Sequence, residues 1–275
     1  MKFKLSAFAD EADASIDGQI KAMTENGVSL LEIRGVDGEN ISDISPKKAE
    51  EVRAKLDAAG LGVWSLGSPF GKIGINDDFG SHLDKFKRNL ETARILGAKK
   101  IRLFSFYGTT EEPQKYHDKV IKQLQAFVDA ARGSGIQLCH ENEKGIYGDI
   151  ASRCAEIHKE VPELKAIFDP ANFIQSGQDT KEAWAILEPF VEYMHIKDAK
   201  ADGHVVPAGK GEGNLPYILS RYKGEVLTVE PHLTVFSGFE KLEDGQKTQM
   251  DEFSYPSSRA AFDAAVSALK ELIER

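Results

Sequence analysis

Four apolar runs in the second half of this 275-residue chain each end on a side chain able to bind a metal ion: Ile136 to Glu141, Ala166 to Asp169, Val191 to His195 and Val226 to Glu230. Glu141, Asp169, His195 and Glu230 make a mixed oxygen and nitrogen donor set. Such a set suits zinc, manganese, cobalt or magnesium better than a metal that prefers thiolates. Any one of these runs alone would read as an ordinary strand capped by a polar residue. Four in succession, separated by helix-like stretches of similar length, predict a divalent-ion centre.

The elements that must position these groups follow from the punctuation of the chain. Helix-like segments closed by Gly27, Gly60, Gly97 and Gly135 each feed a short apolar strand, because glycine after the last turn accepts the left-handed conformation that ends a helix. That is the rhythm of βα units. Strands are expected near 3–8, 29–34, 62–67, 100–106, 136–141, 165–169, 193–197 and 226–230, and helices near 15–26, 46–59, 81–96, 113–132, 149–160, 180–188, 215–222 and 257–274. Leu83, Phe86, Leu90, Ala93 and Leu96 recur at threes and fours, the period of an amphipathic helix. Ser45 and Pro46 mark a helix start as N-cap and first helical residue.

Eight strands alternating with eight helices predict a (β/α)8 TIM barrel, in which strand ends and the loops after them build the site. No proline-rich or low-complexity linker interrupts residues 1–275, so one domain is expected. Strand alternation turns His195 with Lys197, and Thr228 with Glu230, toward the barrel interior, and turns His140 toward the helices.

A hydrophobic share of 41% supplies a core, and a formal net charge of -9 argues against nucleic acid, whose binding rests on Lys and Arg neutralising phosphates. No run approaches the roughly 20 apolar residues of a membrane span, and the N-terminal segment turns acidic before a signal core develops. A cytoplasmic protein acting on a small molecule is expected, with no membrane partner. Cys139 and Cys154 read as core residues. The irregular stretch 231–256, with Phe236, Gly238, Phe239 and Gly245, reads as a lid over the mouth or a contact in a homo-oligomer.

Glu141-Asn142, Asp169-Pro-Ala-Asn172-Phe, His195-Ile-Lys-Asp198 with Gly209-Lys-Gly-Glu-Gly213, and Glu230-Pro-His232 resemble the xylose isomerase-like TIM barrels, which include sugar isomerases, ketose epimerases and endonuclease IV. Glu32-Ile-Arg34-Gly and Gly67-Ser-Pro-Phe-Gly-Lys72 extend the resemblance to most of the chain. It implies that Glu141, Asp169, His195 and Glu230 bind one divalent ion. It also implies a metal-dependent isomerase or epimerase of a sugar or keto-polyol, moving a proton next to a carbonyl through an enediolate. Glu141 and Glu230 would exchange that proton while also ligating the ion. A dehydratase using the same chemistry is the alternative, followed by a non-catalytic sugar-binding barrel and an abasic-site endonuclease. The endonuclease branch needs further histidines and an Asp-x-His pair. This chain has Asn172 after Asp169 and Pro207-Ala-Gly-Lys-Gly-Glu where the pair would fall.

Substrate contacts are expected from Lys197, Arg34, Glu32, Ser68, Lys72, Asn172 and His232. Asn172 stands where the epimerase branch often has a substrate-contacting histidine. Glu32 and Arg34 share a strand face, and pairing between them is the competing reading. Trp64, Phe70 and Phe106 offer either pocket walls or core.

Overall fold

A computed structural model describes residues 3–234 and 255–274. Eight parallel strands close into a barrel: β1 (Lys4–Ala7), β2 (Leu30–Ile33), β3 (Gly62–Leu66), β4 (Lys100–Leu103), β5 (Gln137–Glu141), β6 (Lys165–Phe168), β7 (Val191–Ile196) and β8 (Val226–Val229). Each strand pairs with its sequence neighbours, and β8 returns to β1 with Ser6 opposite Thr228.

The helices are α1 (Ile16–Glu25), α2 (Pro46–Ala58), α3 (Phe79–Leu96), α4 (Pro113–Ala131), α5 (Ala151–Glu160), α6 (Pro170–Gln175), α7 (Thr180–Leu187), α8 (Leu215–Arg221) and α9 (Ser258–Ile273). Ser45 caps α2 by accepting from the Lys48 N–H, with Pro46 at the first position. Gly97 closes α3 with a φ of 73°, and Gly27, Gly60 and Gly135 share that left-handed conformation. The expected barrel is therefore present, with helix and strand limits close to those read from spacing.

Two kinds of element escape that reading. Helix α6 has six residues, too few to display a period, and is written instead in its cap: Asp169 accepts from the Asn172 N–H and Pro170 opens the helix. Two antiparallel ribbons, Gly35–Val36 with Glu39–Asn40 and Asp198–Ala199 with Val205–Val206, lie outside the barrel sheet.

Alternate strand residues divide into two cores. Leu5, Ile33, Ile101, Leu103, Met194 and Leu227 pack outward against the helices, while Cys139, Ile167 and Tyr193, with Trp64, fill the barrel interior. Phe70 and Phe106 are fully buried among Phe79, Phe86 and Phe127 in the outer layer. Of the two readings, pocket wall or core, these two are core, and Trp64 packs edge-on against Tyr193. Cys139 and Cys154 are buried free thiols. Among the described residues no helix is long and apolar enough to cross a membrane. The proposed lid falls mostly outside the described residues, with Phe236, Gly238, Phe239 and Gly245.

Candidate metal centre

The last residue of β5, the last but one of β7 and the residues just after β6 and β8 bring Glu141, His195, Asp169 and Glu230 together. One donor atom from each lies within 4.8 Å of the others, and all four side chains are buried. His195 Nδ1 faces this cluster, 2.8 Å from Glu141 Oε1 and 3.3 Å from Glu230 Oε2. Its Nε2 lies 3.1 Å from Glu32 Oε2, and Glu32 Oε1 accepts from the Tyr193 hydroxyl at 2.8 Å. A column of Tyr193, Glu32 and His195 thus rises through the barrel and fixes which ring nitrogen meets the carboxylates. This is the support that ligating imidazoles usually receive.

Charge sets the character of the cluster. Burial works against the imidazolium of His195, yet Glu141 and Glu32 carry its pKa well above the ordinary value. Burial raises Asp169 to about 8 despite the opposing Lys197 ammonium. Asp169 Oδ2 lies 2.9 Å from Lys197 Nζ but accepts no well-aligned hydrogen bond. Burial also opposes ionisation of Glu230, but the Lys197 ammonium and the hydrogen bond with His195 hold its carboxyl well below the usual range. Three converging carboxylates, one imidazole and an under-coordinated carboxylate oxygen match the needs of a divalent cation with hard donors. The residues present fit such an ion.

The residues expected to meet substrate separate into two groups. Lys197 lies in the cluster, 2.9 Å from Asp169 and 3.4 Å from Glu230 Oε2. Arg34 approaches Glu230 Oε1 at 3.6 Å and is gripped by Asp10 and Glu11. His232 Nδ1 lies 3.5 Å from Glu230 Oε1, and burial keeps its pKa well below the ordinary histidine value. Lys72 pairs with Glu143 at 3.1 Å and lies over the Phe104 ring.

Glu32, Ser68 and Asn172 instead spend their polar atoms on protein partners. Glu32 supports His195, rather than pairing with Arg34 as its shared strand face allowed. The Ser68 hydroxyl donates to the Arg102 carbonyl. Asn172 Nδ2 donates to the Asn142 carbonyl at 2.9 Å and reaches Glu141 Oε1 at 3.4 Å. All three brace neighbouring groups of the site. His140 turns to the helix layer as expected, meeting Ser105 and His158.

Several site residues were missed from sequence. Arg102 Nη1 meets Glu141 Oε2 at 3.0 Å, between the rings of Phe8 and Phe104. Its signal was available: a basic residue between Ile101 and Leu103 faces the barrel interior by alternation. Asp10 and Glu11 lie in a short 3-10 turn after β1, where no period marks them. Asn142 exchanges two hydrogen bonds with the Asp169 backbone and locks the ends of β5 and β6 together.

No curated protein matches the sequence. Among solved structures, the fold resembles the probable 3-DHS dehydratase AsbF, involved in petrobactin synthesis, from Bacillus anthracis. That match has a TM-score of 0.75 and 17% identity, over 98% of this chain and 99% of the other. It also resembles the IOLI protein with a bound zinc atom, with a TM-score of 0.76 and 14% identity over 99% and 98% of the two chains. A third likeness is to D-psicose 3-epimerase with D-tagatose from Clostridium cellulolyticum H10, with a TM-score of 0.73 and 14% identity over 99% of each chain. At these identities the structures bear on fold. The family assignment rests on a sequence-family match over residues 20–228, by which the chain belongs to the xylose isomerase-like TIM barrel family.

Proposed function

We propose that this protein is a divalent-metal-dependent isomerase or epimerase of a keto sugar or related keto-polyol, moving a proton at the carbon next to the carbonyl. The observation that carries this reading is the convergence of Glu141, Asp169, His195 and Glu230 in one buried mouth. The fold likenesses to an epimerase and to a zinc-bound barrel agree with it. A bound manganese, zinc, magnesium or cobalt ion supplies positive charge that acidifies a C–H beside a carbonyl.

The chain's own groups do the rest. Glu141 and Glu230 stand three strands apart around the barrel, and each takes or returns a proton at the substrate carbon while helping to hold the ion. Arg102 fixes one oxygen of Glu141, and Arg34 with His232 faces one oxygen of Glu230. Lys197 steadies Asp169 and Glu230 from beside the ion position. Neutral His232 offers a ring nitrogen to a sugar hydroxyl, and Lys72, on the loop after β3, is held by Glu143.

The test is a panel of ketoses and keto-polyols incubated with the manganese-loaded protein in deuterated water. Deuterium at the carbon beside the carbonyl, with no loss of water from the product, is expected. Exchange accompanied by loss of water reassigns the protein to the dehydratases, and absence of exchange from the whole panel overturns the reading.

A further inference from the structure

Glu230 presents its two oxygens to different surroundings. Oε2 faces His195 Nδ1 at 3.3 Å and Lys197 at 3.4 Å. Oε1 faces His232 Nδ1 at 3.5 Å and Arg34 Nη1 at 3.6 Å. On that second side, Glu11, Glu230 and His232 form another buried donor set, one atom from each lying within 4.8 Å of the others. The two sets share Glu230, as sets do when a carboxylate bridges two ions about 3.5–4 Å apart.

The second side already contains a cation. Arg34 is 3% exposed, and its Nη2 lies 3.1 Å from Glu11 Oε1. Asp10 grips the same guanidinium through Nε at 2.8 Å and Nη2 at 3.0 Å, and the Phe8 ring stacks 4.5 Å from its central carbon. Glu11 also ties in the histidine, accepting from the His232 backbone N–H at 2.7 Å. His232 adopts a φ of 45° there, a strained conformation for a residue with a side chain.

We propose that Arg34 is the resident cation of a second metal position and the residue that limits this mouth to one ion. A guanidinium cannot lose its proton in a protein and makes up to five directed hydrogen bonds. It gives Glu230 Oε1 a fixed positive neighbour in place of a second exchangeable ion. The inference rests on the reading of the first donor set as a metal centre, and the experiment separates the two.

Purified protein is loaded with manganese, desalted and assayed for metal per chain by elemental analysis, with electron paramagnetic resonance of the bound ions alongside. Wild type is expected to retain one ion and give an uncoupled spectrum. Arg34→Ser and Arg34→Met, which uncover Glu11, Glu230 and His232, are expected to retain two ions with a spin-coupled spectrum. Adding His232→Ala to either variant is expected to return the count to one.

Folded Arg34 variants that retain one ion overturn the proposal and leave the first centre standing, whereas a wild type that retains none overturns the metal reading itself. A wild type retaining two ions shows that Arg34 excludes nothing and also overturns the proposal. Glu11→Gln, which leaves the guanidinium in place, supplies a measurement independent of folding in the Arg34 variants. It is expected to keep one ion, and loss of that ion places Glu11 among the ligands and overturns the proposal.

Discussion

Glu141 and Glu230 are assigned the same chemistry, but different neighbours hold them. Glu141 has Arg102 on Oε2 and His195 on Oε1, whereas Glu230 is shared among His195, Lys197, Arg34 and His232. Replacing either carboxylate by an isosteric amide removes the proton acceptor and preserves the shape. Glu141→Gln and Glu230→Gln are each expected to lower solvent-proton exchange by about 10²–10⁴-fold with an unchanged circular dichroism spectrum. Full exchange activity in either variant removes that glutamate from the acid–base role. Arg102→Gln leaves Glu141 without its directed partner, so the expected loss falls mainly on kcat, with KM little changed. A rise in KM alone would make Arg102 a substrate contact. At this scale the four strand-end donors were legible in the sequence because each terminates an apolar run. Arg102 was not recognised because it lies within its strand, and Glu11 because its turn has no periodic neighbours.

At the scale of elements, the glycine-rich segment Gly209-Lys-Gly-Glu-Gly213 shows what a motif can hide. The sequence marks it as part of a family resemblance without giving its mechanism. In the structure the loop wraps the carboxylate of Asp198. Oδ2 accepts from the Gly209 and Gly211 N–H groups at 2.9 and 3.0 Å, and Oδ1 from those of Gly213 and Ala199 at 2.8 and 2.9 Å. A Cβ on Gly211 would lie 2.3 Å from the Ala199 carbonyl oxygen, so the close wrap requires glycine there. Asp198 follows Lys197 directly, and the latch therefore fixes the chain leaving β7 beside the buried donor cluster. Asp198→Asn places an amide that donates where two backbone donors converge. It is expected to cost roughly 3 kcal/mol in urea unfolding, from the loss of charge-assisted bonds to a buried group. Hydrogen exchange at the amides of residues 209, 211 and 213 is expected to accelerate beyond the global change. Equal acceleration across the barrel would mean that the carboxylate serves general stability. The strands and long helices were readable because burial imposes a period on them. Loops like this one are held by single side-chain contacts, which leave no period.

The whole molecule carries a pH dependence that originates away from the mouth. His158 on α5 is buried, stacks on Phe190 and meets the Leu164 carbonyl through Nδ1 at 2.9 Å. His140 packs edge-on against it from β5. Burial lowers His158 from 6.5 to about 4, and it holds His140 well below the ordinary histidine value, with His158 adding to the effect. Below pH 6.5 the unfolded chain takes up a proton at His158 that the folded barrel refuses. The contribution to stability is therefore complete above about pH 6.5 and is lost as pH falls toward 4. A shift of this size corresponds to about 3 kcal/mol, a large fraction of the 5–15 kcal/mol that usually holds a domain folded. His158→Asn keeps a short polar side chain able to reach the Leu164 carbonyl, but it does not titrate. Its stability deficit relative to wild type, measured by urea unfolding, is expected to shrink by about 3 kcal/mol between pH 7 and pH 4. Metal loading leaves that difference intact, because His158 lies in the helix layer and its pKa is set by burial there. Parallel stability curves for the two proteins across this range would show that the acid sensitivity of the barrel arises elsewhere.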